Sequence, residues 1–135
     1  MQHNRCAVLS CDKDVANLFS KLLLEAGYDC PQRSQDVRVT KLRTYDPRVL
    51  VIDFDHFRSD KLESIRQLRF VLPDCAIAVV SSNLKRSWAR QCHMAGANGV
   101  LSSGSGEQRM LAGLRSAVGT GCYTDPDFAP MLGGT

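Results

Sequence analysis

The chain has 135 residues, 44% of them hydrophobic and 23% charged, with a net charge of +3. That length suits one domain whose core is large enough to fold without disulfides or metal, and the composition excludes disordered, fibrous and collagen-like classes. No apolar run approaches the roughly 20 residues that span a bilayer. The opening "MQHNRCAVLSCDKD" carries Asp12 where a signal peptide would still be apolar. A cytoplasmic chain with no membrane contact is therefore expected. The charge is too spread out for a nucleic-acid stripe, and the densest basic cluster, "LKRSWAR" from Leu84 to Arg90, reads as a solvated helix face. Cys6, Cys11, Cys30, Cys75, Cys92 and Cys122 form no C-x-x-C pair and no zinc spacing with histidine. Cys6, Cys75 and Cys92 lie among apolar residues and read as small buried hydrophobes.

In chain order, "CAVLS" (Cys6 to Ser10) predicts a first strand, and Val15, Leu18, Phe19, Leu22, Leu23 and Ala26 at helical spacing predict a first helix, stopped by Gly27. "YDCP" (Tyr28 to Pro31) is a weak second strand, and Val37, Val39, Leu42 and Tyr45 a short second helix before the Asp46-Pro47 turn. Val49 to Asp53 is a third strand, apolar until its last residue. Leu62, Ile65, Leu68 and Leu72 mark a third helix closed by Pro73. Cys75 to Ser82 is a fourth strand, and Trp88, Ala89, Cys92 and Ala95 a fourth helix ended by Gly96. Gly99 to Leu101 is a fifth strand; after a Gly/Ser loop, Met110, Leu111, Leu114 and Val118 mark a fifth helix. Strands that are apolar throughout, alternating with amphipathic helices, predict an α/β fold: a single doubly wound, five-stranded parallel sheet covered on both faces. The Gly- and Pro-containing tail "GTGCYTDPDFAPMLGGT" is expected to have little fixed structure.

Ligands of doubly wound sheets bind at the carboxyl ends of the strands. There the sequence offers Ser10, Cys11 and Asp12, then Asp53 and Asp55, then Ser81 and Ser82, then Ser102 and Ser103. Carboxylates and hydroxyls converging on one edge suit a hard cation or a carboxylate nucleophile facing a phosphoryl donor.

"LVID" ending at Asp53, "VVSS" at Ser81 and Ser82, and "AGANGVL" running through the fifth strand, with "LLLEAGY" and "DPRVLVID", resemble a response-regulator receiver domain with a flavodoxin-like (βα)5 fold. The resemblance covers about residues 5 to 120 and leaves 121–135 as a flexible tail or linker remnant. It implies that Asp53 is the phosphoacceptor and Ser81 the hydroxyl that binds the phosphoryl group and switches. It also implies a Mg²⁺ site that takes Asp53 and the backbone carbonyl of Asp55, which Asp12 would join only if the first loop shifts by one residue. Several positions depart from the pattern: Ser10 and Cys11 replace the acidic pair, Ser103 replaces a lysine, Gly104 a proline, Val100 the aromatic switch residue, and "FDHFRSD" the usual Pro-Gly loop. Fewer carboxylates and no lysine argue against both Mg²⁺ and phosphate.

A two-component signalling module, not an enzyme, is therefore expected. Its partners would be a sensor histidine kinase or phosphotransfer protein, or a second copy through the fourth helix, fifth strand and fifth helix, from about Asn83 to Val118. Phosphorylation would shift a two-state equilibrium; the alternative is a phosphorylation-independent pseudo-receiver serving protein interaction or dimerisation. "LRSAVGTGCYTDPDFA" resembles the segment that follows the receiver in helix-turn-helix regulators, so DNA would enter only through an additional output domain. A flavodoxin-like enzyme is disfavoured, because neither G-x-G-x-x-G nor a P-loop follows the first strand and "SSGSGE" reads as a flexible loop. Cys11 is expected to fill space rather than sense redox, His3, His56 and His93 to lie on the surface, and Trp88 to pack.

Overall fold

The computed structural model describes residues 4–29, 31–35, 39–56, 60–82 and 85–128. The elements run β1 (Cys6–Leu9), α1 (Lys13–Glu25), β2 (Gln32–Ser34), α2 (Val39–Tyr45), β3 (Val49–Asp53), α3 (Lys61–Val71), β4 (Ala76–Ser81), α4 (Arg86–Ala95), β5 (Gly99–Ser102), a single 3₁₀ turn (Ser103–Ser105), α5 (Glu107–Thr120) and β6 (Tyr123–Thr124). The strands form one sheet in the order β2-β1-β3-β4-β5-β6, and every pairing is parallel.

The continuous apolar runs form strands because both faces of the sheet are covered. Successive residues feed opposite layers. Ala7, Leu9, Leu50, Ile52, Ile77, Val79 and Val100 pack with α2, α3 and α4 through Leu42, Ile65, Leu68, Ala89 and Cys92. Cys6, Val8, Val49, Val51, Ala78, Val80 and Leu101 pack with α1 and α5 through Phe19, Leu23, Met110 and Leu114. Cys75 and Cys92 belong to this core, where burial pushes their thiols up to about 12 and about 11, so they are inert fillers.

Local signals set the boundaries. The Asp12 carboxylate caps α1 by accepting from the Val15 N–H at 3.0 Å, and Asp60 caps α3 through the Glu63 N–H at 3.0 Å. Gly96 ends α4 at φ +127°, where a Cβ would come within 2.7 Å of the Arg69 side chain. That arginine bonds the carbonyls of Gly96 and Cys75, tying α3 to the loop before β5. Helix α2 begins at Val39, while Val37 lies outside the described residues.

Two expectations are corrected. The second strand is Gln32–Ser34, not Tyr28 to Pro31: its half-exposed, polar residues carry no apolar signal, and it is held by pairing to β1. The sheet has six strands rather than five, and residues 121–128 are an ordered strap rather than a flexible tail. Tyr123–Thr124 pairs in parallel with Gly99–Val100. Asp125, 1% exposed, accepts from Arg109 at 2.7 Å, and Phe128, 4% exposed, joins the core beside α4. The "SSGSGE" stretch is likewise ordered, as the end of β5, the 3₁₀ turn and the start of α5.

Gly113 is the seat of the strap. A Cβ there would lie 2.6 Å from the Tyr123 ring and 2.7 Å from a Leu101 methyl. Alanine in mid-helix normally stabilises by up to about 1 kcal/mol over glycine. Here Gly113→Ala is expected to destabilise by about 1–3 kcal/mol, the cost of overpacking, in urea unfolding, with faster hydrogen exchange at the strap amides.

Candidate functional site

The strand order reverses between β1 and β3, which makes the crevice beyond their carboxyl ends the binding position of this architecture. Asp53 ends β3 there and is 3% exposed. A carboxylate so buried needs donors, and three resident groups supply them. Ser10, just past β1, donates to Oδ2 at 2.7 Å. The His56 ring places Nδ1 2.8 Å from the same oxygen, and the His56 backbone N–H donates to Oδ1 at 3.3 Å. Because a carboxylate only accepts, His56 Nδ1 carries the proton of that bond.

The other edge of the ring faces Asp12, with Nε2 3.8 Å from Asp12 Oδ2. The imidazole thus lies between the carboxylates of Asp53 and Asp12, the two aspartate side chains weighed above for a metal. Sequence reading placed His56 on the surface. Its side chain is half exposed, yet it is the chief partner of Asp53; the only cue is its place three residues after a strand-terminal aspartate.

Asp55 does different work from that expected. Its carboxylate accepts from Ser81 Oγ at 2.5 Å, from the Ser82 N–H at 2.8 Å and from Ser82 Oγ at 2.7 Å, fastening the loop after β3 to the end of β4. Burial pushes the Asp55 carboxyl up, but these bonds, aided by Lys61, outweigh it and hold it below the ordinary 3.8. Ser81 is therefore committed to Asp55. Beside it opens a groove of about 850 Å³, lined among others by Asp55, His56, Lys61, Ser82, Lys85 and Trp88. Trp88 packs edge-on against Phe54, with ring centroids 5.9 Å apart, and Lys61 Nζ stands 4.5 Å above the same Phe54 ring.

The remaining predicted positions disperse. Cys11 is half-buried, its thiol turned to the Gln35 carbonyl at 3.1 Å. Val100 is fully buried in β5. Ser103 begins the 3₁₀ turn and brings no cation. His93 is not a bare surface residue: its ring bonds the Ala97 carbonyl at 3.0 Å and the Thr124 hydroxyl at 2.7 Å. His3, Cys30 and Asn83 lie outside the described residues.

Mg²⁺ requires a near-octahedral set of oxygens, and the residues present do not fit it. Asp12 spends one oxygen on its helix cap, both Asp53 oxygens take resident donors, and Asp55 turns to the serines. Among the described residues, no group of three or more His, Cys, Asp or Glu side chains is placed to hold a metal.

No protein-family model matches the chain, and no curated protein does. Solved structures do match. A two-component response regulator of the LuxR family from Aurantimonas sp. SI85-9A1 superposes with a TM-score of 0.79 at 15% identity, covering 94% of this chain and 93% of that one. The isolated REC domain of RcsB from Salmonella enterica serovar Typhimurium, solved with the phosphomimetic BeF₃⁻, gives 0.74 at 16% identity, covering 94% and 96%. The chain has the receiver fold. A putative pilus assembly-related protein from Burkholderia pseudomallei K96243 shares this fold with a TM-score of 0.71 at 19% identity, covering 90% and 96%. No helix among the described residues of this receiver fold is long and apolar enough to cross a membrane.

The lowered Asp55 pKa fixes the sign of a pH effect. A carboxyl held below its unfolded value adds stability above that value, and loses it as pH falls through the folded value. The stability difference between wild type and Asp55→Asn in urea unfolding is therefore expected to be largest near neutrality and to shrink as the pH drops below about 4.

Proposed function

We propose that this chain is a signalling module that uses the receiver fold without phosphoryl transfer, a pseudo-receiver whose surface engages a partner protein. One observation carries the reading: Ser10 and His56 already hold the Asp53 oxygen Oδ2, at 2.7 and 2.8 Å. An acidic residue at position 10 would repel Asp53 and call for a cation; a serine there donates to it instead. The imidazole of His56 supplies the second donor in the span toward Asp12. With Ser81 engaged by Asp55 and serine rather than lysine at position 103, the two positions that the resemblance gives to phosphoryl binding are not set for it. The reading makes the protein a binding module rather than an enzyme.

A second reading keeps Asp53 as a phosphoacceptor served by a sensor histidine kinase or a phosphotransfer protein. Asp53 stands in the switch-point crevice, and the side chain of His56, 47% exposed, has room to swing aside. Intact-protein mass after incubation with acetyl phosphate and Mg²⁺ separates the two. Wild type is expected to gain no phosphoryl group and to give no heat of Mg²⁺ binding by calorimetry, like Asp53→Asn. A gain of one phosphoryl group in wild type but not in Asp53→Asn would establish the second reading.

The face formed by α4, β5 and α5, expected to carry a homodimer, is not bare. Residues 122–128 lie across it, paired to β5, bonded to His93 of α4 and ion-paired to Arg109 of α5. Partner contacts on this side therefore meet α4 and the strap together.

A further inference from the structure

We propose that α4 and the strap form a preformed docking groove for an acidic segment of a partner protein that presents an apolar anchor. The groove, about 540 Å³, has Arg86, Arg90, His93 and Met94 on the α4 side and Thr124 and Phe128 on the strap side. Its rim and its floor differ in chemistry, and both point to the same occupant.

The rim is basic and uncompensated. Helix α4, "RSWARQCHMA", has no acidic residue, and Lys85 precedes it. Among the described residues, neither Arg86 nor Arg90 has an ion-pair or hydrogen-bond partner. They stand four residues apart on one helix, a spacing at which like charges repel. The strap cannot relieve them, because its own acids, Asp125 and Asp127, are turned to Arg109 on α5. A partner carboxylate would remove a repulsion that folding leaves in place.

The floor is apolar. Ala89 and Phe128 line it and are buried, while Met94 at its edge is 78% exposed, an unusual place for a thioether, whose flexible, polarizable side chain suits an adaptable contact. A nucleic-acid backbone would leave this floor without a partner, so the pairing of cations with apolar surface favours a peptide. The groove is also held open before anything binds. The His93–Thr124 bond at 2.7 Å, the Arg109–Asp125 pair at 2.7 Å and the β5–β6 pairing fix its wall, which lowers the ordering cost of association.

This inference rests on reading the chain as an interaction module, but its test uses neither Asp53 nor phosphate. The probe is a fluorescein-labelled helical peptide with glutamates on one face and leucines on the other, followed by anisotropy against the full chain. The same peptide with lysine for glutamate is the control. The acidic peptide is expected to bind, to weaken with added salt, and to lose at least about tenfold in affinity on Arg86→Glu/Arg90→Glu. Both positions are exposed, so the variant keeps the fold, checked by its unfolding midpoint. No binding, equal binding of the lysine peptide, preference for a duplex oligonucleotide, or concentration-dependent self-association that blocks the peptide would each overturn the proposal, whatever the phosphorylation result.

Discussion

A carboxylate buried at the end of a central strand has to be neutralised by a cation or satisfied by donors, and the pocket of this chain is organised around the second solution. Asp53 is placed by β3, which pairs with β1 on one side and β4 on the other. Its position is not negotiable, because Val49 to Ile52 are fixed in both core layers. The loops must come to it. The loop after β1 brings the Ser10 hydroxyl, and the turn after β3 folds back so that residue 56 contributes both its backbone N–H and its ring.

Where the resemblance expects an acid after β1, this chain places a hydrogen-bond donor to Asp53. Serine in place of an acid converts a repulsive neighbour into a donor, and the ring of His56 reaches across the space toward Asp12. Asp12 caps α1. Asp55, in turn, spends its charge on Ser81 and Ser82, which ties the β3 and β4 loops together and leaves the strand ends cross-linked by short hydrogen bonds. The pocket is therefore coherent as a static structural node.

The C-terminal strap changes the outer surface as much as the serines change the pocket. β5 would otherwise be an edge strand, a template for pairing with another chain. β6 covers that edge, and an ion pair from the exposed Arg109 to the buried Asp125, together with the buried Phe128, holds the cover in place. Helix α4 then faces two ways. Trp88 packs on Phe54 next to Asp53, while His93 is bonded to the strap. One helix thus links the pocket to the outer face.

The parallel α/β sheet, its helices and the gathering of Asp53, Ser10 and Ser81 near strand ends were legible in the sequence, because a strand buried on both faces has to be apolar along its length and a helix on one face has to repeat near 3.6 residues. The second strand was placed too early because Gln32–Ser34 has no apolar pattern, and β6 was missed because two residues of strand among glycines and aspartates carry no periodicity at all. Those elements exist through pairing and anchoring across long sequence separations, as between Arg109 and Asp125 or Gly113 and Tyr123. The pocket divides in the same way. The sequence determined which residue types stand at the strand ends; only the tertiary structure decided that His56 would face Asp53 and that Asp55 would face the serines, because the direction of a loop side chain depends on what the neighbouring loops leave open.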